Sequence, residues 1–181
     1  MKIILMRHGK PVLSRTAWIT PIAMGQWIKD YNLAEVADDA PLASLEIAHS
    51  VVCIVTSTAP RALTSVHALG HTPSIVDALF CEAQLPFALW RFPRLPPFVW
   101  AAFFRVLWFM GYARGADSIQ ATRIRAQTAT RKLIALSEQG AVLLVGHGIM
   151  NRLIAQELVG LGWTGTPKSK YWSTSIHEFP T

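Results

Sequence analysis

Hydrophobic positions along this chain fall into short apolar runs that alternate with longer stretches of helical period. Lys2 to Met6 is a compact apolar run that meets Arg7, His8 and Gly9, which predicts a buried strand feeding a loop. Thr20-Pro21 predicts a helix start, with Thr20 as N-cap and Pro21 in the first turn, running to about Tyr31. Residues 32–50 read as a loop with a short helix. Val51 to Val55 predicts a second buried strand. Pro60 opens a helix that Gly70 stops, and Ser74 to Val76 predicts a short third strand. Ala126 to Glu138 has helical period and ends at Gly140. Ala141 to Val145 predicts a fourth strand, and Ile149 to Val159 a helix stopped by Gly160 and Gly162. Tyr171 to Phe179 fits a final edge strand. Strands alternating with helices predict an α/β fold, a three-layer α/β/α sandwich around a mostly parallel sheet.

The stretch from Ala83 to Arg114 breaks the rhythm. It has no acidic residue and holds Trp90, Trp100, Trp108 and six of the eight phenylalanines. A membrane span needs about 20 apolar residues. Pro96, Pro97 and Arg105 interrupt this one, so the expectation is a buried helix from Pro97 to Tyr112 that covers the sheet or the mouth of a site. A homodimer face or a membrane-touching patch over 97–112 is the alternative, because large exposed apolar patches bind something. Lining a site mouth, the segment would favour substrates with an apolar group.

Composition narrows the classes. With 181 residues, 51% hydrophobic and 15% charged, the chain is a globular protein and not a disordered one. Its length suits a single domain over residues 1–181, with 83–114 as an apolar insertion. The net charge of +6 favours anionic partners. Cys53 and Cys81 cannot form a disulfide framework and lack metal-ligand spacing. Apolar neighbours predict both as small buried hydrophobes. The apolar run at the start is too short for a signal peptide, so a cytoplasmic protein is expected.

Three predicted strands end in polar residues. The first runs into Arg7-His8-Gly9. The second runs to Ser57, with Arg61 on the next helix. The fourth runs into Gly146-His147-Gly148. In parallel sheets, ligands bind outside the carboxyl ends of the strands, so two arginines and two histidines can converge there. Guanidinium forks match phosphate oxygens, an unprotonated imidazole is a nucleophile, and a cationic one stabilises the oxygens in transfer. Glycines beside the histidines would let backbone approach an anion, and the helix beginning at Ile149 would add its positive end. The set suits phosphoryl transfer through a phosphohistidine, with no metal and no cofactor.

Three of these motifs in this order resemble the histidine phosphatase superfamily, also called phosphoglycerate mutase-like. Leu5-Met6-Arg7-His8-Gly9 is similar to its Arg-His-Gly motif. Ser57 to Ala62 is similar to its Ser-x-x-x-Arg-Ala motif, and Gly146-His147-Gly148, with Asn151-Arg152 beyond, to its late Gly-His-Gly motif. The resemblance spans nearly the whole chain. It implies a phosphoglycerate mutase-like fold, His8 as the phosphorylated nucleophile, and a phosphate pocket of Arg7, Arg61 and His147. It also implies Glu82 as proton donor, although the glycine and second acid that usually follow are replaced by Ala83-Gln84-Leu85-Pro86. Asp117, ahead of Ser118, is the second candidate, with a helix cap as its structural reading. Ser14, Arg15 and Gly148 would contact the ester or phosphate.

Other motifs carry less. Gly146-x-Gly148 lacks the third glycine of a dinucleotide loop. His67 and His71 stand one helical turn apart without a third ligand, so no metal is expected. Arg123, Arg125, Arg131 and Lys132 read as a solvated helix face, with no nucleic-acid module around them. The expected activity is hydrolysis of a small phosphomonoester. A phosphohistidine-protein phosphatase, a phosphomutase and a non-catalytic anion-binding module are the rivals.

Overall fold

A computed structural model of the chain describes residues 1–13 and 17–180. Among these residues five strands form one sheet in the order β3-β2-β4-β1-β5. They are β1 (Lys2–Arg7), β2 (Cys53–Thr56), β3 (Ile75–Val76), β4 (Val142–Gly146) and β5 (Thr174–Glu178). The first four are mutually parallel, and β5 runs antiparallel on the edge beside β1. Among the described residues six α-helices accompany them: α1 (Met24–Leu33), α2 (Leu42–His49), α3 (Pro60–Ala68), α4 (Pro97–Phe109), α5 (Ile119–Ser137) and α6 (Gly148–Gly160).

The period-two alternation of the strands builds the layers. Ile3, Leu5, Val142 and Leu144 face one side and pack against Ala126, Ala129 and Leu133 of α5 and Leu153, Ile154 and Leu158 of α6. Ile4, Met6, Leu143 and Val145 face the other side, against Ala48 of α2, Val66 of α3 and Leu69 just after it. Both faces of β1 and β4 are buried, which is why these strands read as continuous apolar runs. The result is the α/β/α sandwich expected.

Several boundaries differ from the sequence expectation, each for a local reason. The helix expected from Thr20 starts at Met24, after an isolated turn, and Thr20 gives no side-chain cap. Ile19 pairs with Leu95, and Ile22 N–H donates to the Trp90 carbonyl, so this backbone is committed before the helix begins. Helix α5 starts seven residues before Ala126. Its cap is Ser118, whose Oγ accepts from Ala121 N–H at 3.1 Å. Thr122 is fully buried, and its hydroxyl donates to the Ser118 carbonyl. A hydrophobic count misses a turn that buries a threonine. The two cysteines are only partly buried, contrary to expectation.

Helix α4 departs most. Trp100 and Phe104 turn inward onto Met24 and Trp27 of α1 and onto Ala88, making a third apolar cluster that no strand residue joins. It therefore covers α1 and not the sheet. Its other face is exposed.

Candidate active site

Sheet register assembles the site. In the parallel β1/β4 pair Arg7 stands opposite Gly146, so His8 and His147 are the first residues beyond matched strand ends. His8 N–H donates to the Gly146 carbonyl at 3.0 Å, and the two imidazole rings meet edge to face with centroids 5.1 Å apart. In the β2/β4 pair Thr56 stands opposite Val145, which brings Ser57 beside His147; Ser57 Oγ and His147 Nε2 are 2.7 Å apart. Arg61 follows on the first turn of α3, which Pro60 begins. Arg7, His8, Arg61 and His147 thus converge at the carboxyl ends of β1, β2 and β4. A shallow hollow at the opposite strand ends, lined by Met1, Lys2, Glu138 and Glu178, holds no such cluster.

His8 is 2% exposed, and its Nδ1 lies 2.7 Å from the Gly9 carbonyl. A carbonyl only accepts, so Nδ1 carries the proton and Nε2 keeps its lone pair. Burial, opposed by that hydrogen bond and helped by Arg61 and Arg7, pushes the His8 pKa down to about 3. At neutral pH the ring is an uncharged imidazole with a free nucleophilic nitrogen. Burial, followed by the charge of Arg61, also holds His147 well below the usual histidine range.

The guanidinium groups are held by backbone carbonyls. Arg61 is 2% exposed and donates through Nη1 to the carbonyls of Tyr31 (3.2 Å) and Asn32 (3.4 Å). Arg7 donates through Nη1 to the Ser169 carbonyl. Among the described residues neither forms a salt bridge, and the Nε atoms of both, with Nδ1 of His147, are buried without a hydrogen-bond partner. Buried positive charge is costly unless paired, and burial lowers the Arg61 pKa. The local field favours an anion.

Glu82 reaches the site from the loop after β3. Its Oε1 accepts from the N–H groups of Ala83 (2.9 Å), Ile149 (3.1 Å) and Met150 (3.0 Å), and its Oε2 accepts from Ile149 at 3.2 Å. The carboxylate therefore caps the N-terminus of α6. This corrects the expectation that the start of α6 would serve the anion: those N–H groups already have an acceptor. Arg125 holds the loop from behind, donating to the carbonyls of Leu79, Cys81 (2.6 Å) and Glu82. Lys132 pairs with Asp77 at 2.6 Å. The basic face of α5 is thus partly tied inward, which a reading as solvated charge overlooks. Asp117 is exposed, one residue before the Ser118 cap, and among the described residues no contact joins its carboxylate to the cluster.

The glycines act differently from the expectation. A Cβ on Gly9 would lie 2.5 Å from Val36 and 2.6 Å from Trp172, and one on Gly146 would lie 2.3 Å from Asn151 Oδ1. They are needed for packing of protein against protein. A Cβ on Gly148, the first residue of α6, would meet the Arg7 guanidinium at 3.5 Å, an ordinary contact, so the approach of Arg7 does not require glycine there. Ser14 and Arg15 lie outside the described residues. His71 meets His49 at 3.1 Å and not His67. Among the described residues no group of three His, Cys, Asp or Glu is placed to hold a metal.

Two tyrosines escaped the motif reading. Tyr171 lies under Arg7, 4.2 Å from its Cζ, and 5.7 Å from the His8 ring. Tyr31 lies 5.0 Å from Arg61 Cζ, and burial, with Tyr171 beside it, pushes its hydroxyl pKa up to about 12. Each ring supports a guanidinium by cation–π contact. Trp172 delivers Tyr171 by adopting φ 58°, a left-handed conformation costing a bulky residue about 1–2 kcal/mol. Its N–H donates to the Arg7 carbonyl and its indole to Asp38, which hold it there.

Comparison with known proteins gives the same frame. A family model described as histidine phosphatase superfamily (branch 1) matches residues 3–180. Nothing among curated proteins matches the chain. Its fold is similar to the product of open reading frame Rv3214 from Mycobacterium tuberculosis, at 19% identity and TM-score 0.67, over 99% of this chain and 91% of that one. It is similar to the mycobacterial glucosyl-3-phosphoglycerate phosphatase Rv2419c in complex with VO3, at 19% identity and TM-score 0.61, over 97% and 91% of the two chains. Bacillus stearothermophilus YhfR is a third, at 18% identity and TM-score 0.57, over 97% and 89%. At such identities the likeness concerns the fold.

Proposed function

We propose that this chain, which belongs to the histidine phosphatase superfamily, hydrolyses phosphomonoesters through a phosphohistidine on His8. The observation that carries this reading is a neutral, buried His8 beside two guanidinium groups that form no salt bridge among the described residues. That arrangement pairs a nucleophile with anion binding. Arg7 and Arg61 hold the non-bridging oxygens, and His147, protonated once a phosphate dianion offsets its surroundings, stabilises the charge that develops on them. The His8 Nε2 lone pair attacks phosphorus and the ester P–O bond breaks. Glu82, entering the step as the carboxylic acid, gives its proton to the departing oxygen and is left as the carboxylate. The Glu82 carboxylate then takes a proton from water, whose oxygen attacks phosphorus. The P–N bond breaks, its electron pair returns to Nε2, and phosphate leaves. Each step uses this chain's own residues, with residues 1–181 as a single domain elaborated by segment 83–114. Two thiols without a disulfide suit a cytoplasmic setting.

A second reading has one observation in its favour. The Glu82 carboxylate is engaged by three backbone N–H groups, and a phosphoramidate leaving group needs less help from an acid. The substrate would then be a phosphohistidine protein. Comparing turnover of a phosphohistidine peptide with that of sugar phosphates separates the two.

Turnover of an aryl phosphate by purified protein tests the core of the proposal. His8→Ala is expected to lower it by about 10³ or more. Arg61→Ala is expected to weaken vanadate inhibition about 10- to 100-fold, the worth of a charge-assisted hydrogen bond. Parental turnover in His8→Ala would overturn the mechanism, and unchanged vanadate affinity would remove Arg61 from the pocket.

A further inference from the structure

We propose that the outer face of α4, with the aromatic loop before it, docks on the surface of an anionic lipid bilayer. Helix α4 is apolar all round: of its thirteen residues, Arg105 alone is charged. At 3.6 residues per turn, Phe98, Phe103, Val106, Phe109 and Met110 share an arc of about 140°, all exposed. A surface helix of a soluble protein carries polar residues on that side. The patch continues into the preceding loop. Ile19 pairs with Leu95, which sets Trp18 beside the segment bearing Trp90 and Phe92, and all three rings are exposed. Trp100 Nε1 donates to the Ile19 carbonyl, joining this pair of loops to α4. Tryptophan and phenylalanine suit the boundary between headgroups and acyl chains.

Charge selects the occupant. Arg91 and Arg94 are exposed in the loop that bears Trp90 and Phe92, Arg114 is exposed a few residues after α4, and no acidic residue occurs from Ala83 to Arg114. Asp30, on the neighbouring α1, already accepts from Gln26. A symmetric contact with a second copy would press one cationic rim against another with nothing in the segment to offset it. Anionic headgroups offset it directly. The geometry is that of a helix lying in the interface. Thirteen residues span about 20 Å against a hydrocarbon core of about 30 Å, and among the described residues no helix is long and apolar enough to cross a membrane. Arg105 ties the docked helix to the site by donating to the carbonyls of Ala83 (2.9 Å) and Gln84, next to Glu82. The docking itself does not depend on the reaction.

Flotation of the full chain tests it, with vesicles of phosphatidylcholine alone or with about one third phosphatidylglycerol. The protein is expected to float with the anionic vesicles. The triple variant Phe98→Gln, Val106→Gln, Phe109→Gln, with its fold checked by circular dichroism, is expected to stay behind. The double variant Arg91→Gln, Arg94→Gln touches exposed side chains only, and is expected to bind about 20- to 30-fold more weakly, at about fivefold per arginine. A protein that ignores anionic vesicles, or variants that float as well as the parent, would overturn the proposal. A dimer by light scattering that the triple variant dissolves, without vesicle binding, would assign the face to a second copy.

Discussion

His8 is the residue on which two demands meet. As the proposed nucleophile it must be uncharged, and as a buried ring beside Arg7 and Arg61 it is kept so, with a pKa of about 3 against 6.5 in an unfolded chain. The folded ring stays neutral where the unfolded ring takes up a proton. This contribution to stability is therefore complete above about pH 6.5 and declines as pH falls toward 3. Its full span is a few kcal/mol, at about 1.4 kcal/mol per pH unit. His8→Asn is expected to flatten that part of the acid-side loss in denaturant unfolding. An unchanged pH dependence between parent and variant would contradict the neutral ring.

Glu82 is judged at the same scale. Glu82→Gln keeps an oxygen for the N–H groups of Ile149 and Met150 and removes the proton. Turnover of esters with poor leaving groups is expected to fall by about 10²–10⁴, and that of activated aryl esters much less. Equal losses for both would leave Glu82 as a helix cap alone. Arg7, His8, Arg61 and His147 were legible in the sequence because each sits beside a strand end or a helix start. Tyr31 and Tyr171 were not, because their roles come from rings lying against guanidinium groups of remote segments.

Among the elements, the sheet was the easiest to read. Strands β1 and β4 are buried on both faces, and a run such as Val142 to Val145 has few other folds open to it. Helix α5 was harder. Its N-terminal turns trade apolar contacts for hydrogen bonds, including those by which Arg125 grips the loop leading to Glu82. In the proposed mechanism that grip makes Arg125 a positioning residue for Glu82. Arg125→Ala is expected to cost about 1–3 kcal/mol of stability in thermal unfolding, and to lower turnover of poor leaving groups more than of good ones. A loss of stability with no dependence on the leaving group would restrict Arg125 to folding.

For the whole molecule, topology does the work that motifs only suggest. Parallel pairing of β1 with β4 and of β2 with β4 turns three separate sequence segments into one cluster. Segment 83–114 was legible as unusual but not in its placement, since α4 covers α1 and leaves an apolar face outward. Alkaline quenching during turnover, followed by peptide mass spectrometry, tests the central claim most directly. The account predicts phosphate attached to the peptide that contains His8, and none in the His8→Asn variant. Phosphate found on another residue, or turnover with no phosphorylated protein under conditions that preserve phosphohistidine, would contradict it.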